Sequence, residues 1–114
     1  MSPVYSGVRR AGGLLFFSGM TGRVADGSVP AAVHGQMQQA FANVLEALRA
    51  ERLDASDVVK VTVYLRDMAD LDVLDHTFSE VFAEPRPART TVAVSGLPRN
   101  AAVELDVVAV TSGP

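Results

Sequence analysis

The hydrophobic pattern changes period several times along this chain, and each change marks an element. Val4–Arg9 and Leu14–Ser18 are short strand-like stretches, and Ala11-Gly12-Gly13 between them supplies the glycines that a tight reversal needs, so a first hairpin is expected. Thr21–Pro30 reads as a loop with its turn at Asp26-Gly27-Ser28. From Val33 the period lengthens. Val33, Met37, Phe41, Val44, Leu45 and Leu48 recur every three or four residues as one helical stripe, with His34, Gln38, Asn43 and Glu46 largely off it. Asp54-Ala55-Ser56-Asp57 leads into a strand, Val58–Leu65. Strict alternation there puts Val59, Val61, Val63 and Leu65 on one side and Val58, Lys60, Thr62 and Tyr64 on the other. Asp70 is the expected N-cap of a second helix with the stripe Leu71, Leu74, Phe78 and Val81/Phe82, closed off by Pro85 and Pro87. The last strands, about Arg89–Ser95 and Ala101–Thr111, read as a hairpin around Gly96-Leu97-Pro98.

Two amphipathic helices cannot cover both faces of a sheet of five or six strands. The expected architecture is a two-layer α+β domain, residues 1–114, with both helices on one face. The last strand is apolar nearly throughout, from Ala101-Ala102-Val103 to Val110, as strands buried on both sides are. In so small a domain the second cover comes most simply from another copy of the chain.

Composition narrows the function classes. Hydrophobic residues make up 48% of the 114 positions and charged ones 20%, as in soluble globular domains, and no apolar run approaches the ~20 residues of a membrane-spanning helix. The formal net charge of −3 argues against a nucleic-acid footprint. The N-terminus lacks a basic-then-apolar signal pattern, so a cytoplasmic location is expected. Cysteine is absent, which removes thiolate catalysis and Cys-based metal sites. His34 and His76 are the only histidines and belong to no compact ligand motif, so no metal is expected. Ser18 has no legible Ser-His-Asp arrangement around it, and the glycines form no phosphate-binding motif.

The candidate chemistry lies near the C-terminus. Arg89 and Glu104 are ionisable residues on apolar-rich strands flanking the Gly-Leu-Pro turn. A hairpin could aim both into one cleft, where the guanidinium fork would pair with a carboxylate and the glutamate would position or deprotonate water. The alternative reading is that both simply face solvent, as most charged residues do.

Pro87-Ala88-Arg89-Thr90-Thr91-Val92, then Leu97-Pro98, then Val103-Glu104-Leu105, resembles the signature of the Rid (YjgF) family of reactive intermediate deaminases. Tyr5-Ser6, Phe17-Ser18-Gly19, the strand Val58–Leu65 and Asp67-Met68-Ala69-Asp70-Leu71 are similar to family elements in order and spacing, so the resemblance spans about Tyr5 to Val110. It implies a chorismate-mutase-like fold, a homotrimer with clefts between subunits, and cofactor-free hydrolysis of 2-imino acids to 2-keto acids and ammonia. By the same resemblance Arg89 matches the arginine that clamps the substrate carboxylate and Glu104 the glutamate that orients water. Tyr5 and Ser18 match the pocket wall, Thr91 a position whose backbone N–H contacts substrate, and Gly19 a glycine that lets ligand approach the backbone. Three features depart from the pattern. Asp75 stands where deaminase members commonly have Asn, Met20-Thr21 replaces the usual Gln-Ile/Val, and Ala83–Arg86 is short. These departures point to a different substrate side chain or weaker activity. Two other activities occur to the same resemblance: a ligand-binding or regulatory member without turnover, and a ribonuclease, which the acidic charge disfavours.

Overall fold

A computed structural model describes residues 4–111. Five strands form one mixed sheet in the order β1-β2-β5-β3-β4, with β1 Val8–Ala11, β2 Leu14–Thr21, β3 Val58–Leu65, β4 Ala88–Ala93 and β5 Val103–Val110. Helices α1, Val33–Ala50, and α2, Leu71–Val81, supply the second layer. Leu15 and Phe17 of β2, Val61, Val63 and Leu65 of β3, and Val103, Leu105, Val107 and Ala109 of β5 point toward them. These residues share one core with Met37, Phe41, Val44 and Leu48 of α1 and with Leu74 and Phe78 of α2. Phe41, Phe78 and Phe82 lock the two helices together with ring centroids 4.7–6.1 Å apart, two of the three pairs edge-on.

The largest departure from the sequence reading is at the C-terminal strands, which do not form a hairpin. β4 runs parallel to β3, with Val61 opposite Arg89, and β3 lies between β4 and β5. Apolar patterning cannot distinguish the two pairings, because β4 and β5 would look alike in either. A parallel partner requires a crossover, and α2 provides it between β3 and β4.

Smaller corrections have local causes. The first hairpin starts at Val8 rather than Val4, and its turn is Gly12-Gly13, with Gly12 at φ +60°. A bulge at Val59 breaks the alternation of β3, so Val58 joins Val61, Val63 and Leu65 in the core while Val59 is exposed. Asp70 makes no side-chain cap. Asp67 instead accepts a hydrogen bond from the Ala69 N–H, and a 3-10 turn, Met68–Asp70, leads into α2. On α1, Gln36 is buried, and its Oε1 accepts from the Ala102 N–H at 2.8 Å, tying the helix to the entry of β5. The sheet face away from the helices is only partly apolar. Leu14, Phe16, Val92 and Val110 are exposed, but the outward positions between them include Lys60, Thr62, Tyr64, Thr90, Glu104 and Asp106. β5 is therefore not apolar on both sides, because its outward residues begin Glu104, Asp106.

Candidate active site

The residues singled out in the sequence fall into two groups on opposite faces of the sheet. Glu104 pairs in register with Tyr64 and Thr21, so its carboxylate projects from the face away from the helices. Opposite it, β2 spends three residues from Phe17 to Met20 while β5 spends two from Val107 to Leu105; the extra residue is a bulge at Ser18-Gly19. The bulge re-aims the strand so that Gly19 sits directly against Glu104. A Cβ on Gly19 would lie 2.8 Å from Glu104 Cδ and Oε2, so only glycine leaves the carboxylate its place.

Ser18 fastens the N-terminal segment to this site. Its hydroxyl donates to the Ser6 carbonyl at 2.6 Å, and its N–H donates to the Gly7 carbonyl at 2.9 Å. Tyr5 is thereby brought beside Ser18, Gly19 and Glu104 as the wall of one cleft. Partial burial raises the Glu104 carboxyl above the usual glutamate range, and the negative charge of Asp106 adds to the effect. Asp106 is itself held by the Tyr64 hydroxyl, which donates to its Oδ2 at 2.9 Å. A carboxylate whose proton affinity is pushed upward in a cleft is suited to accept a proton from water.

An adjoining cavity of about 330 Å³ shares Tyr5, Gly19 and Glu104 with that cleft and is completed by Met20, Thr21, Arg23, Asn43, Pro98 and Arg99. Asn43, placed off the apolar stripe by the sequence reading, faces this cavity and donates to the carbonyls of Thr21 and Arg23 at 2.9 Å. Asn43, Arg23 and Arg99 escaped the sequence reading. A helix-borne amide among polar neighbours gives no periodic signal, and the arginines stand on turns whose course depends on the fold.

Arg89, Thr91 and Asp75 make up the second group, on the helix side of edge strand β4. Arg89 Nη2 donates to Asp75 Oδ1 at 2.7 Å, and its guanidinium carbon stands 5.0 Å from the centre of the Phe78 ring. The ring and the carboxylate hold the guanidinium at the sheet edge. Asp75 thus takes one edge of the guanidinium for itself. Thr91 Oγ1 is buried without a hydrogen-bond partner. Within one chain β3 separates Arg89 from Glu104, and the expected shared cleft of a β4–β5 hairpin does not exist. Among the described residues no group of three His, Asp or Glu side chains is placed to hold a metal.

Comparison with known proteins places this geometry. The family model described as endoribonuclease L-PSP matches residues 2–111. The chloroplastic Reactive Intermediate Deaminase A of Arabidopsis thaliana is 36% identical over 107 residues, which cover 92% of this chain and 57% of that longer protein. The 2-iminobutanoate/2-iminopropanoate deaminase of Dermatophagoides farinae is 34% identical over 108 residues, 93% of this chain and 84% of the relative. The crystal structure of RidA from an Antarctic Psychrobacter superposes with a TM-score of 0.91 at 30% identity, covering 96% of this chain and 90% of that one.

Proposed function

The chain belongs to the Rid (YjgF) family, whose family model carries the description endoribonuclease L-PSP, and on that premise we propose that it hydrolyses small 2-imino acids to 2-keto acids and ammonia, without a cofactor, in clefts completed between the subunits of a homotrimer. The observation that carries the reading is the split of the candidate residues. A carboxylate with raised proton affinity opens at one face, and a guanidinium lies at the sheet edge of the other, separated within one chain by β3. A second copy that brings its β4 edge to the Glu104 cleft joins the two halves. The exposed Leu14, Phe16, Val92 and Val110 give such copies an apolar surface to bury.

In the completed site Arg89 holds the substrate carboxylate and so fixes the imine carbon over the cleft. Glu104 takes a proton from water as the oxygen attacks that carbon, giving a tetrahedral carbinolamine. Its nitrogen receives a proton and leaves as ammonia while the C=O forms. One water is consumed, and the keto acid retains the original carboxylate. The substrate is already electrophilic, so positioning and one base are enough.

The test is ammonia release from imines generated in situ by an amino-acid oxidase. The wild type should exceed buffer hydrolysis, and Arg89→Ala should lower kcat/KM by roughly 10²–10³ if the clamp contributes about 3–4 kcal/mol to transition-state binding. Arg89→Lys should recover part of the loss, since an ammonium lacks the planar fork. A wild type no faster than buffer would replace hydrolysis with the ligand-binding reading.

A further inference from the structure

Two arginines that share a cavity with Glu104 have no part in the hydrolysis described above. Arg23 and Arg99 line the 330 Å³ cavity that Glu104 shares with the cleft. They converge across Gly27. A Cβ at that residue would lie 3.7 Å from Arg99 Nη1 and 3.9 Å from Arg23 Nε and Nη2, so both cations come within 4 Å of one point. Neither forms an ion pair with another described residue. Two like charges brought this close repel, and an anion between them reverses the sign of the interaction.

Their backbones are fastened, which separates them from ordinary surface arginines. Asn43 holds the Arg23 carbonyl, and the following turn is closed by Val24 N–H to Ser28 O at 2.8 Å and Gly27 N–H to Val24 O at 2.9 Å. Arg99 stands in a turn at φ +59°, with Asn100 at +54°, a conformation that non-glycine residues seldom adopt. Arg66 pins that turn by donating from Nη1 to both the carbonyl and Oδ1 of Asn100, at 2.5 and 2.6 Å. Strained backbone held in place by a neighbouring element is where functional side chains tend to be found.

We infer that Arg23 and Arg99 form a second carboxylate subsite, and that the preferred ligands are dicarboxylic: 2-imino acids with an acidic side chain, and their keto products. The inference rests on the hydrolase reading above. The 2-carboxylate belongs to Arg89 and the reacting carbon to Glu104, so the two arginines can meet only the distal end of the substrate. An alkyl side chain would leave both cations unpaired, whereas a carboxylate matches guanidinium forks in shape and charge.

Titration calorimetry with 2-oxoglutarate and 2-oxopentanoate tests this, since the two share a five-carbon chain and differ in the distal carboxylate. At low salt the wild type should bind 2-oxoglutarate about 10-fold more tightly, a modest ratio because both arginines are exposed. The double variant Arg23→Gln/Arg99→Gln should bring the two affinities together by weakening only 2-oxoglutarate, while unchanged 2-oxopentanoate binding reports an intact site. Equal affinities in the wild type, or a preference that survives in the double variant, overturn the subsite and leave the hydrolase reading standing. Loss of both ligands in the double variant marks a structural role and also overturns it. If the wild type binds neither keto acid, the subsite is overturned, and ammonia release decides the hydrolase reading separately.

Discussion

On the hydrolase reading, activity and stability pull in opposite directions at Glu104. Its carboxyl is raised by burial first and by Asp106 second, so the folded protein favours the protonated form. The stability associated with this group is therefore fully present below the ordinary glutamate range. It declines as pH climbs from that range through the raised folded value. Catalysis needs the ionised form, so the acidic limb of kcat/KM should lie above the ordinary glutamate pKa. Glu104→Gln, which is always neutral, should lower kcat by ~10²-fold with KM little changed, and should raise the melting temperature at pH 7. The stability difference should vanish below about pH 4, where the native glutamate is itself protonated. Melting curves at both pH values, beside the kinetics, check the pair of effects; a variant that melts lower at pH 7 would contradict the origin given for the shift. On the same reading Asp75 belongs to the other half of the site. It sits 2.7 Å from Arg89 and competes with an incoming carboxylate, so Asp75→Asn should lower KM about 3–10-fold at constant kcat, the modest size reflecting a half-exposed pair. An unchanged or higher KM would show that Asp75 does not contend with the substrate.

Among the elements, one glycine within β2 and one just past its end should respond to alanine in opposite ways. At Gly19 in the bulge the added methyl meets the end of the Glu104 side chain at 2.8 Å, which can swing aside. Gly19→Ala should therefore fold with near-native stability while losing most of its activity. Just past the strand, at Gly22, the methyl would lie 2.6 Å from the Gln36 carbonyl oxygen, part of the backbone of α1. That backbone cannot yield without disturbing the Gln36–Ala102 tie, so Gly22→Ala should lose roughly 2 kcal/mol or more. Chemical denaturation beside ammonia release separates the two variants. Equal losses of stability would mean that the bulge is rigid in a way the Glu104 contact does not explain.

At the scale of the whole molecule, the proposed division of the site between copies makes subunit mixing decisive. If Arg89 of one copy serves Glu104 of the next, Arg89→Ala and Glu104→Gln chains are each nearly inactive, yet mixed trimers contain intact junctions. Random mixing of equal amounts should restore about a quarter of wild-type activity, because each site draws its two residues independently from the two chains. Sites built within one chain would regain nothing on mixing. Light scattering that found a monomer at micromolar concentration would remove the assembly itself.

The order of elements was legible from residue patterns because local chemistry decides it. The stripe from Met37 to Leu48 specifies a helix wherever it lies, Gly12-Gly13 allows the positive φ of a tight reversal, and prolines at 85 and 87 keep α2 from continuing. Similarity to a family signature marked Arg89 and Glu104 as candidates, although their spacing alone allowed a surface role. What only the tertiary structure decided depends on which distant segments meet. Strand pairing was one such outcome: the pattern of β4 suits an antiparallel hairpin with β5 as well as a parallel edge beside β3, and only the crossover through α2 selects the edge. The bulges were another, since one extra residue at Ser18-Gly19 or at Val59 becomes visible only against a partner strand. Through them the fold sends Glu104 to one face and Arg89 to the other, and brings Arg23, Asn43 and Arg99, far apart in the chain, around one cavity. Periodicity records which way a residue points from its own element, whereas a site is made by residues on different elements pointing toward the same place.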